Sequence, residues 1–268
     1  VFSVADTVSK ADGGTFDGNV TMGGTLGVGT SSHDGTLHVH SASAGSVTPQ
    51  TGADDLVVEN SGNGGISILT PDANRSAIVF GHASDNLKMQ IRHDGGTSLS
   101  QIISDDTLTF NVSGGTERMR IDTNGHITMP TQPAFSTYAS VASNLSLNAA
   151  YTIAFDSPIY DNNSDFASNT FTAPVTGKYQ LNLCVRLNQL DDATQYYMIQ
   201  IATSNRTYQN IHGNSGYDAD VNYMNVNFSV VADMDAGDTA VAKIDVPSLG
   251  TAQVDVDGQT IFSGYLVC

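Results

Sequence analysis

The chain has 268 residues, a mass of 28.1 kDa and a formal charge of −17 at pH 7. Glutamate occurs only at Glu59 and Glu117, so 27 − 2 = 25 of its acidic residues are aspartates, against 10 lysines and arginines and 26 glycines. Asp, Gly, Thr, Ser and Asn favour turns over helix interiors, and no heptad repeat or long apolar run is present, which excludes a mostly helical protein, a coiled-coil stalk and a membrane-spanning helix.

In chain order, residues 1–36 are short apolar pieces between glycines. The unit Gly-Thr-apolar recurs at Gly14-Thr15-Phe16, Gly24-Thr25-Leu26 and Gly35-Thr36-Leu37. These spacings are too short for a helical solenoid and fit short strands with tight turns. Each strand supplies one or two apolar side chains, so this segment predicts a core shared among wrapped chains.

Residues 37–129 predict clearer strands. Leu56-Val57-Val58, Ile66–Leu69, Ala77–Phe80, Leu87–Ile91, Leu108–Val112 and Met119–Ile121 are apolar or alternating runs. Asn63-Gly64-Gly65, Asp94-Gly95-Gly96, Gly114-Gly115 and Asn124-Gly125 mark turns between them. The phrases Gly27-Val28-Gly29-Thr30-Ser31-Ser32, Gly35–Val39 and Glu117–Ile127 resemble segments of bacteriophage tail fibres and spikes. That resemblance implies a trimeric, interwound β-rich shaft.

A break falls at Met129-Pro130-Thr131-Gln132-Pro133, and residues 130–268 read differently. Tyr179, Leu181, Leu183, Val185 and Leu187 alternate with polar residues, and Met224, Val226, Phe228 and Val230 do the same. Tyr196–Ile201, Thr239–Val246 and Thr260–Val267 predict three more strands. Strands at this spacing suggest an antiparallel β-sandwich or jelly roll. An immunoglobulin-like sandwich is the alternative, and the absence of Trp removes its usual signature. Phe155, Asp161, Phe166, Phe171 and Gly177-Lys178-Tyr179 stand at intervals that resemble the globular head of complement, in the tumour-necrosis-factor-like jelly-roll superfamily. Ala236-Gly237-Asp238 and Phe262–Leu266 resemble that family's turn and closing strand. The match departs between Phe166 and Phe171, which stand closer than the pattern, and at Leu181 and Leu183, where it has aromatics. This second resemblance also implies a homotrimer. A trimer would carry 3 × −17 = −51, a repulsion eased by salt.

Candidate sites follow from residue type and position. His38 and His40 project from one face of a strand. Three such pairs on a trimer axis would offer six imidazoles to Fe, Ni or Zn. Against this, Leu37 and Val39 are the expected core-facing pair, which turns the histidines to solvent. Asp218, Asp220 and Asn222, then Asp233, Asp235 and Asp238, then Asp255 and Asp257 are acidic clusters without a calcium-loop pattern. They are expected as solvated turns, with Ca2+ in the head the alternative that the complement resemblance implies. Cys184 and Cys268 have neither disulfide-scaffold nor metal-ligand spacing. No enzyme is expected. Gly27-Val28-Gly29 precedes no helix, no Gly-x-Ser-x-Gly is present, and paired carboxylates are uninformative in so Asp-rich a chain.

The expected protein is therefore all-β, a trimeric shaft with a jelly-roll head, acting as a virion fibre outside the cell. Its partners would be itself, other virion proteins and a host-surface receptor, a glycan among the possibilities. Nucleic acid and membrane insertion are not expected of so acidic a surface. The receptor is expected on a loop between Thr203 and Asn222 through Tyr208, His212, Tyr217 and Asp218, since tyrosines give contact area at low entropic cost. The alternatives are a polysaccharide-degrading tailspike and a bacterial surface or secreted structural protein with the same head.

Overall fold

A computed structural model describes residues 22–145, 149–192, 194–214, 218–245 and 253–268. They form strands and turns only, with no helix among them. Two compact units divide the chain, Val1–Ile103 and Ser104–Cys268.

In the first unit, β1 (Leu26–Val28), β2 (Leu37–His40) and β3 (Leu56–Glu59) form a parallel sheet in that order. Leu26 pairs with Leu37 and Leu37 with Leu56, while Val28, Val39 and Val58 line up in the same way. The Gly-Thr-Leu repeat is thus a stacking register: its second copy lies on its third. Gly35 is needed there because a Cβ would run into the Asp54 carbonyl of the neighbouring segment. β4 (Arg75–His82), β5 (Asp85–Asp94) and β6 (Leu99–Ser104) make a second sheet in chain order. The strand expected at Ile66–Leu69 does not form. Among the described residues that run has no ladder partner, and Leu69 is 89% exposed.

The second unit opens with an antiparallel sheet of β7 (Leu108–Val112), β8 (Thr116–Ile121) and β9 (Ile127–Thr128). Asp122 organises the β8–β9 turn. Its Oδ1 accepts the Asn124 and His126 amides at 2.8 and 2.9 Å, and Gly125 takes a φ of 85° that disfavours a side chain.

The head follows with thirteen strands. The first six are β10 (Ala134–Ala139), β11 (Ala142–Leu145), β12 (Tyr151–Thr152), β13 (Phe155–Asp161), β14 (Phe166–Ala167) and β15 (Thr170–Thr172). The remaining seven are β16 (Gly177–Leu190), β17 (Tyr196–Thr203), β18 (Thr207–Gly213), β19 (Val221–Met234), β20 (Thr239–Asp245), β21 (Val254–Val256) and β22 (Ile261–Leu266). One sheet runs β19, β16, β22, β10, β13, with β21 also on β16 and β11 on β21. The other runs β14, β15, β20, β17, β18, with β12 on β20. From β15 onward the chain changes sheet at nearly every step, and only β17 and β18 are a hairpin. Strands paired in a sheet are therefore distant in sequence, as β10 and β22 are. That Greek-key winding of two antiparallel sheets is a jelly roll.

Between the sheets lies the apolar core. Leu181, Leu183, Val185 and Leu187 of β16 face Tyr197, Ile199 and Ile201 of β17 and Ala240, Ala242 and Ile244 of β20, all buried. The alternation read in β16 and β19 holds, and β20 alternates in the same way. Phe135 stacks on Phe166 and Phe171 with centroids 5.0 and 4.8 Å apart, and Phe262 meets Phe135 and Phe166 edge-on at 5.1 and 6.2 Å, both favourable geometries for aromatic pairs. Gly264 lies under this cluster, where a Cβ would sit 2.7 Å from Leu181 and 2.8 Å from Phe135.

Candidate functional site

Part of the expected recognition loop is a strand. Thr207–Gly213 is β18, the edge strand of its sheet, paired along its length with β17. Tyr208, Asn210 and His212 point inward and are half-buried, and Tyr208 packs against the core. His212 Nε2 is shielded from solvent with no hydrogen-bond partner. Outward positions hold Thr207, Gln209 and the exposed Ile211. The alternation is inverted, with polar aromatics inside and the aliphatic residue outside, and that is why the segment read as polar connection. Asp218 is exposed, and Tyr217 lies outside the described residues.

A broader surface was missed by the sequence. The outer face of β16, β19 and β22 carries Asn182 beside Ser229 and Ser263, Cys184 beside Asn227 and Ile261, and Arg186 beside Asn225. Of these, Asn182, Cys184, Asn227, Ser229, Ile261 and Ser263 line a cavity of about 320 Å³. Tyr223, Val231 and Tyr265 are exposed around it. Outward positions of β16 and β19 from Lys178 to Asn188 and from Tyr223 to Asp233 hold a single carboxylate, Asp233, registered with Lys178. On a chain of charge −17 this face is close to neutral. The signal was present as the Asn/Ser parity opposite the leucines.

The acidic clusters mostly serve turns. Asp238 Oδ2 accepts the Asp235 amide at 2.8 Å and the Asn205 side chain at 2.7 Å, and Asp257 takes the Asn188 side chain at 2.8 Å and the Gln259 amide at 2.8 Å. The Asn188 amide, the Gln259 N–H and nearby Arg186 hold the Asp257 carboxyl below its ordinary range. Asp220 instead joins Asp191 and Asp192, with Asp220 Oδ1 accepting the Asp192 amide at 3.1 Å.

The histidine pair departs from expectation. His38 is 1% exposed, the one buried side chain among described residues before Pro133, while Leu37 and Val39 are half-buried. The face assigned to solvent is the covered one. The segment before β2 folds over it, the Asp34 amide donating to His38 Nδ1 at 3.3 Å and His33 filling the space beside Gly27. His38 Nε2 and His40 Nε2 lie 3.1 and 3.7 Å from the same oxygen, Glu59 Oε2. The Ala44 amide donates to Glu59 Oε1 at 2.7 Å, and this bond, with His40 and His38 beside it, holds the Glu59 carboxyl below the ordinary range. Sequence reasoning paired the two histidines and missed Glu59, which parallel pairing brings opposite His40.

The sequence matches no protein-family model. No curated protein matches it either. Among solved structures it is similar to the globular domain of zebrafish complement 1qA protein, at 17% identity over 51% of this chain and 98% of that one, with a TM-score of 0.39. It is similar also to murine APRIL, at 13% identity over 51% of this chain and 99% of that one, with TM-scores of 0.38 and 0.37 for crystals at pH 8.0 and 8.5. The jelly-roll assignment rests on the strand order described above.

Proposed function

We propose that the chain is a homotrimeric viral fibre protein whose jelly-roll head binds a host-surface receptor outside the cell, without catalysing a reaction. One observation carries this: the described residues before Pro133 bury no apolar side chain within a single chain. Their strands nevertheless present Leu26, Val28, Leu56, Val58, Ile78, Phe80, Ile91 and Ile102 to solvent. Apolar patches of that extent mark surfaces covered by a partner, and a closed ring of identical chains is the common solution. The near-neutral outer face of β16, β19 and β22 supports the same association, because three copies can approach there without bringing like charges together.

Receptor contact falls to the remaining exposed parts of the head, including Ile211 and Gln209 of β18 and the Asp218 turn. The tailspike alternative has one supporting feature, the parallel pairing of β1 to β3, but these strands are three or four residues long and number three. Light scattering tests the assembly: the expected species is 3 × 28.1 = 84.3 kDa, and a folded 28.1 kDa particle would remove the trimeric fibre. For the function, the purified trimer should adhere to host cells and block adsorption of the virus. Release of reducing sugar from host polysaccharide would favour the tailspike instead.

A further inference from the structure

The first unit buries a histidine where a small unit would ordinarily bury leucines. Units with little apolar core are held by partner chains, disulfides or metals, and neither cysteine lies in this unit. His38 Nε2 is cut off from solvent and has no aligned hydrogen-bond partner, although Glu59 Oε2 stands 3.1 Å away. A sequestered polar atom left this way is costly. A cation between the two groups would supply what is missing.

We propose that Asp34, His38, His40 and Glu59 bind one divalent transition-metal ion of the zinc class within a single chain. Asp34, His38 and Glu59 each offer a ligand atom, and these lie within 4.8 Å of one another. Two donors at 2.0–2.1 Å from a tetrahedral ion stand about 3.3 Å apart. The Nε2–Oε2 separations of His38 and His40 from Glu59, 3.1 and 3.7 Å, bracket that spacing. Two imidazoles among the donors select Zn, Co, Ni or Fe(II) over Ca2+ and Mg2+, which prefer oxygen. Glu59 is already oriented, since the Ala44 amide holds Oε1 and leaves Oε2 to the imidazoles.

Coordination at His38 Nε2 moves the ring proton to Nδ1. The long 3.3 Å bond from the Asp34 amide is then lost. The Asp34 carboxylate is then free to turn to the ion as the fourth ligand. Asp34 and Glu59 also line a cavity of about 390 Å³, which gives the ion a way in. The site would tie β2 to β3 and to the segment that covers them. It is independent of the receptor-binding proposal.

The test is titration of the full chain with Co2+, whose tetrahedral complexes absorb strongly in the visible, followed by displacement with Zn2+. One equivalent per chain is expected, with affinity reduced at least ~10-fold in Glu59→Gln and His40→Ala. His38→Gln should abolish the absorption; if that variant fails to fold, the other two carry the test. His126→Gln, a histidine variant in the second unit, should bind as the parent does. Absence of a Co2+ band, or unchanged affinity in both Glu59→Gln and His40→Ala, overturns the site. One equivalent per three chains overturns it too, by placing the ion between chains.

Discussion

Asp161 spends both carboxylate oxygens on one turn: Oδ1 accepts the Asp165 amide at 2.9 Å and Oδ2 the Phe166 amide at 3.1 Å. That turn delivers Phe166 onto Phe135, 5.0 Å away between centroids. The spacing Phe155, Asp161, Phe166 therefore has a physical content, an aromatic cluster with its own capped corner. Asp161→Ala leaves two amides without their acceptor and should cost about 1–3 kcal/mol. A thermal melt within a few tenths of a degree of the parent would show that water replaces the carboxylate. Acid acts on Asp257 in a related way. Its folded pKa lies below the ordinary aspartate value, so its contribution is present above that ordinary value and is lost as pH falls through the lower folded value. Asp257→Asn should flatten the acid limb of the head's stability curve, measured by denaturant melts between about pH 2 and 5.

At the scale of elements, β16 is the strand on which the head depends. It pairs with β19 from Gly177 to Leu190 and with both β21 and β22 on its other edge. Leu183 is 1% exposed at its centre, and Cys184 faces the other way. Leu183→Ala should cost about 2–5 kcal/mol, from lost burial and the cavity left behind; Cys184→Ser should leave the melt nearly unchanged. The reverse ranking would mean the faces are exchanged. The β16 parity was legible because its leucines alternate over many residues, whereas β18 was not, because Tyr208 and His212 fill half-buried positions without an apolar period. Ile66–Leu69 failed for the opposite reason: it has the composition of a strand and, among the described residues, no neighbour to pair with.

For the whole molecule, charge and apolar exposure pull against each other. The proposed trimer would bring together 3 × −17 = −51 charges while covering apolar side chains that one chain leaves open. Screening at high ionic strength relieves the first without weakening the second. The trimer should therefore dissociate at higher protein concentration in about 10 mM salt than in about 0.5 M salt. A salt-independent equilibrium would show that the contact face is not limited by repulsion. On the near-neutral face, Val231→Asp and Tyr265→Asp should release folded smaller species on sizing, because each places like charges at every subunit contact. Retention of the trimer by both would move the interface away from β19 and β22.

The amino-acid sequence determined what depends on composition and short periods. The all-β class, the head's inward-facing leucines and the aromatic intervals were all readable, because each is set by residues within a few positions of one another. Tertiary structure alone decided what depends on distant segments meeting. The Gly-Thr-Leu copies became a parallel register only when β1 and β3 flanked β2. That same pairing set Glu59 beside His38 and His40, and the covering segment at Asp34 turned His38 from a solvent residue into a buried one. A strand's two faces are equivalent to the local chain, and only what packs on each tells them apart.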